Sequence, residues 1–324
     1  MAVATGFQRR RGRRRGEAEV VPPPQFTSYY GRPILKKPTW AALDIAGYFF
    51  LGGLAGASSG LAAGAELTGR PGLARASKVG ALGAASLALV GLIHDLGKPS
   101  RFLNMLRVFK PTSPMSVGSW LLAAYGPAAG VAAVTSVTGT FPRTGRAATL
   151  AAAAVGSGVA AYTAALISDT AVPAWHGGYR EMPFVFVGSA ASAAGGLGLL
   201  TSSDRESAPA RRLAAWGAVL ELSSLRLMEH RLGSAAEPMR QGSGGRLLKA
   251  AEVLTVAGAL STALPGRRRR LWAGLGGAAL LAGSACTRFG IFEAGVASAE
   301  DPKYTVVPQR ERLSQREQAG AVPG

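Results

Sequence analysis

Ile45-Ala-Gly-Tyr-Phe-Phe-Leu-Gly-Gly-Leu-Ala-Gly-Ala-Ser-Ser-Gly-Leu-Ala-Ala-Gly-Ala65 runs from Asp44 to Glu66 without a charge. An α-helix needs about 20 such residues to cross ~30 Å of hydrocarbon. Similar gaps lie between Lys110 and Arg143, between Arg146 and Asp169, and between Glu181 and Asp204. Shorter ones follow the same rhythm at Val79–Ile93, Leu213–Leu220, Val253–Gly266 and Leu271–Thr287. They become full spans if a few ionisable residues sit inside or at helix ends. The expected architecture is all-α and integral to a membrane. It has about eight transmembrane helices, near residues 40–66, 73–96, 117–138, 146–169, 182–201, 212–229, 246–264 and 271–293. The runs are continuously apolar rather than alternating, so a β-barrel does not fit.

The interiors are rich in Gly, Ala and Ser. Glycine, and to a lesser degree serine, is a poor helix former in water. In lipid small residues let helix backbones approach closely, as Gly52, Gly56 and Gly60 would on one face of the first helix. Phe50-Leu-Gly-Gly-Leu-Ala-Gly-Ala-Ser-Ser-Gly60 also lines up with Phe186-Val-Gly-Ser-Ala-Ala-Ser-Ala-Ala-Gly-Gly196. Four helices separate the two copies, which suggests two four-helix bundles side by side. Shared small-residue composition is the other explanation.

The composition closes off several classes. One cysteine, Cys286, excludes a disulfide scaffold. One Cys and three His cannot supply a zinc or iron–sulfur ligand set within this chain. The net charge of +18 suggests nucleic acid. The basic residues, however, lie between uncharged runs rather than on one polar domain, so a nucleic-acid partner is not expected.

The ends differ from the centre. Residues 1–38 form a basic tail with Arg9–Arg11, Arg13–Arg15, Arg32, Lys36 and Lys37 around Pro22–Pro24. No apolar segment follows directly, as a cleavable signal would require. Residues 297–324 read as a polar surface tail, leaving 39–296 as the membrane domain. Lys and Arg near helix ends favour the cytoplasmic side. Both termini are expected there, together with Lys98, Arg101, Arg107, Lys110, Arg231, Arg240, Arg246 and Lys249. Arg267–Arg270 would fall on the other side, against the rule.

Ionisable groups at membrane depth are functional candidates by default. Asp44 follows Trp40 by four residues, a spacing that places both on one helical face. An aromatic plate beside a carboxylate suits a flat quinone head group. An interfacial anchor beside a hydrated carboxylate has the same spacing. Tyr162, within Ala-Tyr-Thr-Ala-Ala-Leu-Ile-Ser, needs a hydrogen-bond partner if buried. That partner could be a quinone carbonyl or a neighbouring helix. His94-Asp95 at the end of the second helix could relay protons or simply face water. Glu221, Arg226, Glu252 and Arg288 either pair structurally or line a proton path. A transmembrane b-type haem does not fit, because His94, His176 and His230 all lie near helix ends.

His94-Asp-Leu-Gly-Lys-Pro-Ser-Arg-Phe-Leu-Asn-Met-Leu-Arg-Val-Phe-Lys-Pro-Thr-Ser-Pro-Met-Ser-Val-Gly-Ser-Trp120 is the most distinctive segment. Pro99, Pro111 and Pro114 set turns. With Arg101, Arg107 and Lys110 it reads as an ordered, basic docking loop.

This loop resembles the signature of the NrfD/PsrC family, integral membrane subunits of polysulfide reductase and nitrite reductase systems. The pattern Asp-Leu-Gly-(Arg/Lys)-Pro-x-Arg-Phe is met at Asp95–Phe102. The pattern Ser-Pro-Met-Ser-x-Gly-(Ser/Thr)-Trp is met at Ser113–Trp120. Tyr48–Gly56, the stretch from Tyr162 to Val172-Pro-Ala-Trp175, and Glu293–Lys303 match as well. The resemblance implies a haem-free menaquinone or quinol site, with the chain anchored to a ferredoxin-like iron–sulfur subunit and, through it, a molybdopterin catalytic subunit. It assigns quinone contacts to Trp40, Asp44 and Tyr162. Some members carry Asn and His where this chain has Trp40 and Asp44.

The expected function is a quinone-interacting membrane anchor of a bacterial oxidoreductase, polysulfide reductase- or formate dehydrogenase-like. Asp44 or Tyr162 would exchange the proton, and His94 would join the cofactor site. Asp95, Glu221, Glu252 and Arg288 are candidates for a proton path. A membrane transporter and a structural anchor without quinone are the alternatives.

Overall fold

The computed structural model describes residues 34–98, 100–264, 269–307 and 310. Most of the basic N-terminal tail, Pro22–Pro24, Pro99, Arg267, Arg268 and residues 311–324 lie outside that set.

Every regular element among the described residues is helical. In chain order they are α1 (Ala42–Leu67), α2 (Pro71–Asp95), α3 (Arg101–Met105), α4 (Pro114–Thr138), α5 (Pro142–Ser168) and α6 (Pro173–Gly177). Then come α7 (Met182–Thr201), α8 (Ala208–Leu232), a 3₁₀ turn (Gly233–Ala236), α9 (Glu237–Arg240), α10 (Gly242–Ala263) and α11 (Arg269–Glu300). α1, α2, α4, α5, α7, α8, α10 and α11 each have 20 residues or more.

Most of these helices begin two to four residues before the uncharged runs suggest. At α2, α4, α5 and α8 proline is the reason. Pro71, Pro114 and Pro142 open α2, α4 and α5, and Pro183 and Pro209 follow the first residues of α7 and α8. The first helical N–H groups have no intrahelical acceptor, so proline loses nothing there. At the other end, α11 runs on to Glu300, so residues 297–300 are helix rather than tail. Ser298 and Ala299 are buried, and Ala174 N–H donates to Ser298 Oγ at 3.2 Å.

Among the described residues six long helices are apolar enough to cross a membrane: α1, α2, α4, α5, α7 and α11. α8 and α10 fall short of the eight read from the sequence. α8 carries Arg211, Arg212, Glu221, Arg226, Glu229 and Arg231, and α10 carries Arg246, Lys249 and Glu252.

The long helices pack as two sets of four, α1/α2/α4/α5 and α7/α8/α10/α11. Within each set the first helix packs on the second and fourth, and the third on the fourth. The sets meet mainly along α1 and α7, the two helices that the internal repeat aligns. Lipid offers little hydrophobic drive for helix association, so close van der Waals approach has to supply it. A Cβ on Gly56 would strike the carbonyl of Gly156 on α5. Gly188 on α7 meets the backbone of Gly217 on α8, and Gly196 on α7 that of Gly277 on α11. Polar ties cross the same interfaces. Tyr125 Oη on α4 donates to Ala55 O at 2.7 Å and lies 2.8 Å from Ser59 Oγ, both on α1.

Side-chain contacts sort the connections into two ends. At one end Trp40 meets Trp175, Lys37 meets Glu300, and Arg231 meets Glu181. At the other, Leu73 N–H donates to Glu206, Arg211 to Thr262 O, and Arg270 to Ser202 O. The segments at the start of α1, between α2 and α4, between α5 and α7, and between α8 and α10 therefore share the first end.

Glu181 binds Arg231 Nε at 2.7 Å and NH2 at 2.5 Å. This hydrogen bonding and the arginine's charge hold its carboxyl below the ordinary 4.5. A depressed carboxylate pKa stabilises the fold above 4.5, and that stability is lost as pH falls through the depressed folded value. Thermal melting in detergent should show Glu181→Gln destabilised by about 1–2 kcal/mol at neutral pH, a partly exposed pair being worth less than a buried one. The difference from wild type should vanish in acid. Gly56→Val should cost about 1–3 kcal/mol by overpacking. Gly47→Ala on the same helix meets nothing within 4 Å and should melt like wild type.

Candidate functional site

A cleft opens at the first end of the first bundle, where α1 and α4 begin and α2 and α5 finish. Its walls are Ile45, Tyr48 and Phe49 of α1, Leu92 and Asp95 of α2, Leu96, Met105 of α3, Met115, Ser119 and Leu122 of α4, and Tyr162 and Leu166 of α5. Trp40 completes the wall. The cavity measures about 80 Å³. The walls are almost wholly apolar.

Two buried tyrosines form its floor. Tyr48 is 2% exposed and Tyr162 9%. Their rings meet edge to face at 6.5 Å. Buried tyrosine hydroxyls usually find a partner. Among the described residues neither hydroxyl has one, and both belong to the cleft. Gly118 makes this possible, because any Cβ there would overlap the Tyr162 ring. The glycine of the Ser113–Trp120 motif is thus the space that the tyrosine ring occupies.

The rest of that motif builds the loop. Ser113 caps α4 by accepting from Ser116 N–H, and Pro114 opens the helix. Ser116 Oγ accepts from Lys110 N–H at 3.0 Å and donates to Val108 O at 3.1 Å. Trp120 Nε1 donates to Val108 O at 3.4 Å, and its ring meets Phe109 edge on. Gly97, in the Asp-Leu-Gly turn, has φ +68°, where a side chain is strained. Arg101 donates to Leu96 O, while Arg101, Arg107 and Lys110 stay exposed.

Two expectations from spacing are corrected. Trp40 does not share a helical face with Asp44, because α1 starts at Ala42 and Trp40 precedes it. Its indole instead stacks on Trp175 at 5.9 Å, with an interplanar angle of 18°. Trp175 is fully buried, donates to Ile291 O at 2.8 Å, and fits only because residue 295 is glycine. The second correction concerns His94, which pairs across helices with Asp44 (Nδ1 to Oδ2, 2.8 Å) and not with Asp95. The Asp44 side chain is 15% exposed and that of His94 78%. Asp95 turns to the cleft and lies 3.5 Å from Ala41 N–H. Sequence neighbours at a helix end point about 100° apart, so adjacency was the wrong guide.

Tyr48 was missed as a site residue. Its signal was available: inside α1 the residue one turn beyond Asp44 is Tyr48.

The four mid-helix charges split into two places. Arg226 and Glu252 pair at 2.5 Å on the outer surface of α8 and α10. Glu221 and Arg288 are buried between α8 and α11 without forming an ion pair. Glu221 Oε1 accepts from Thr287 at 2.6 Å. Arg288 donates to Phe186 O at 2.6 Å, with its guanidinium 3.8 Å from the Phe186 ring centre. Glu221 Oε2 and Arg288 Nε and NH1 have no partner. Glu252 therefore sits apart from the buried Glu221 and Arg288.

The helices and cleft define a multi-pass membrane protein with an aromatic, end-on site. The chain matches the family described as Polysulphide reductase, NrfD, over residues 35–228, and it belongs to that family of membrane subunits. The match takes in the cleft, the loop and most of α8, while α10 and α11 lie beyond it. No curated protein matches the chain. Among the described residues no group of three or more His, Cys, Asp or Glu is gathered to hold a metal ion.

Ser116→Ala removes two loop hydrogen bonds, worth about 1 kcal/mol each. Trypsin cleavage after Arg107 should rise about five- to tenfold, with the melting temperature almost unchanged. Unchanged cleavage would show that Trp120 alone holds the loop.

Proposed function

We propose that this chain is the quinone- or quinol-reactive membrane subunit of a bacterial multi-subunit oxidoreductase, polysulfide reductase- or formate dehydrogenase-like. The observation that carries the reading is that two buried tyrosines, Tyr48 and Tyr162, line one apolar cleft with no hydrogen-bond partner for either hydroxyl among the described residues. Such a pair fits a ligand that is flat, apolar and equipped with acceptor oxygens. When bound, a menaquinone and quinol couple supplies the exchange of two electrons and two protons.

The residues present fit that group. Tyr162 and Tyr48 donate hydrogen bonds to ring oxygens, and Trp40 closes the cleft from the side. At about 80 Å³ the cleft is too narrow for a whole ring at rest. Met105 and Met115 line the approach, and unbranched thioethers repack easily. Asp95 reaches the cleft directly. Asp44 acts through His94, whose exposed ring passes a proton between Asp44 and water. Glu221 and Arg288 form a second polar centre in the other bundle and remain candidates for proton movement.

Electrons then pass to a ferredoxin-like iron–sulfur subunit, with a molybdopterin subunit beyond it. The exposed loop of Arg101, Arg107 and Lys110 borders the cleft and is the docking face. All eight long helices span the plasma membrane in this reading. α8 and α10, of 25 and 22 residues, pack in one bundle with the spanning α7 and α11. Both termini are cytoplasmic.

Purification in mild detergent, with mass spectrometry of bound quinone and co-purifying proteins, tests this. Wild type should retain menaquinone and an iron–sulfur subunit. Tyr162→Phe and Tyr48→Phe should each lower quinone retention about tenfold, about one hydrogen bond to an otherwise unsatisfied group. Asp44→Asn should leave retention intact and flatten the pH dependence of quinol oxidation. A lone protein without quinone or cluster partner would overturn the reading in favour of a transporter.

A further inference from the structure

A larger groove lies toward the other end of α1, between the two bundles. It measures about 740 Å³. Gly56, Gly60 and Gly64 of α1 form one wall, faced by Ala153 of α5 and Ala191 of α7. Gly60 and Gly64 look into open space, since a Cβ on either meets nothing within 4 Å. The groove is apolar along its length and changes character at one end, where Arg70 and Arg212 stand with Thr68 and Trp216.

The two arginines are underused. Arg70 makes one hydrogen bond, to Thr68 O at 3.2 Å. Arg212 is exposed and has no partner among the described residues. Each guanidinium has five N–H donors that match a phosphate bidentately. Trp216 lies one turn beyond Arg212 on α8 and is 74% exposed. An exposed tryptophan near a helix end marks the headgroup level of a bilayer.

A long apolar channel with two unpaired cations and an interfacial tryptophan at one end is complementary to an acyl chain with an anionic head. We propose that this groove is a binding site for an anionic glycerophospholipid, its phosphate on Arg70 and Arg212 and one acyl chain along the glycine face of α1. The lipid fills the seam between the bundles where the protein leaves a void. Among the described residues no tyrosine, histidine or acidic side chain lines it, in contrast to the cleft. Along α1, Tyr48 and Gly60 are 12 residues apart, about 18 Å. The inference does not depend on quinone binding.

The test is native mass spectrometry of the delipidated full chain, titrated with phosphatidylglycerol, with phosphatidylcholine, and with phosphatidylglycerol plus inorganic phosphate. Wild type should prefer phosphatidylglycerol, with phosphate failing to compete. Arg70→Gln/Arg212→Gln should bind it roughly 10–30-fold more weakly, about tenfold or less per arginine, and lose the preference over phosphatidylcholine. Gly60→Leu should lose both lipids while melting like wild type, because its side chain enters the groove without a clash. If the double variant fails to fold, Arg212→Gln alone carries the same expectation. Equal binding by all variants would overturn the proposal. So would full competition by phosphate with no effect of Gly60→Leu, which would mark a free-phosphate site. Displacement of menaquinone by Gly60→Leu, with phospholipid unaffected, would make the groove a quinone channel.

Discussion

Backbone-to-backbone contact at glycine is the constraint from which the rest follows. α1 touches α5 at Gly56 and Gly156, and α7 touches α8 and α11 at Gly188 and Gly196. With little hydrophobic drive inside lipid, these helices hold together because their surfaces fit. α1 and α7 thereby become the inner members of two similar bundles. That places Tyr48 against Tyr162 at one end of α1 and leaves the glycine-faced groove toward the other.

The same logic explains residues that look like motif without function. Gly118 exists for the Tyr162 ring and Gly295 for the Trp175 indole. Ser116 and Trp120 tie down Val108–Lys110, so the loop's cations face outward. Trp40, stacked on Trp175, joins the segment before α1 to the second bundle. The cleft is assembled from residues between Trp40 and Leu166, and the glycine and serine of its loop motif are as much part of it as its tyrosines.

Charge within the helices is handled in two ways. Arg226 and Glu252 neutralise each other on the outer face of α8 and α10. Glu221 and Arg288 are withdrawn inside and tied to Thr287 and Phe186. Their leftover unsatisfied atoms mark the second bundle's polar centre. The two pairs cannot be told apart by spacing, since all four residues sit mid-helix on neighbouring elements.

Uncharged runs were enough to place the six helices apolar enough to cross a membrane among the described residues, because hydrocarbon imposes both length and apolarity on any span. They were also enough to single out Tyr162, Asp44 and the loop, since polar groups stand out against such a background. Helix ends were read too late wherever proline opens a helix, because that reading followed charge rather than capping. Spacing misassigned Trp40, which precedes α1, and His94, whose partner lies on another helix. Tyr48 passed unnoticed among apolar neighbours. The sequence by itself determined which segments can enter a membrane and which residues are chemically unusual there. Only the tertiary structure decided which of them meet, because helix packing is governed by where small residues let backbones touch, and that matching is a property of pairs of helices rather than of either one.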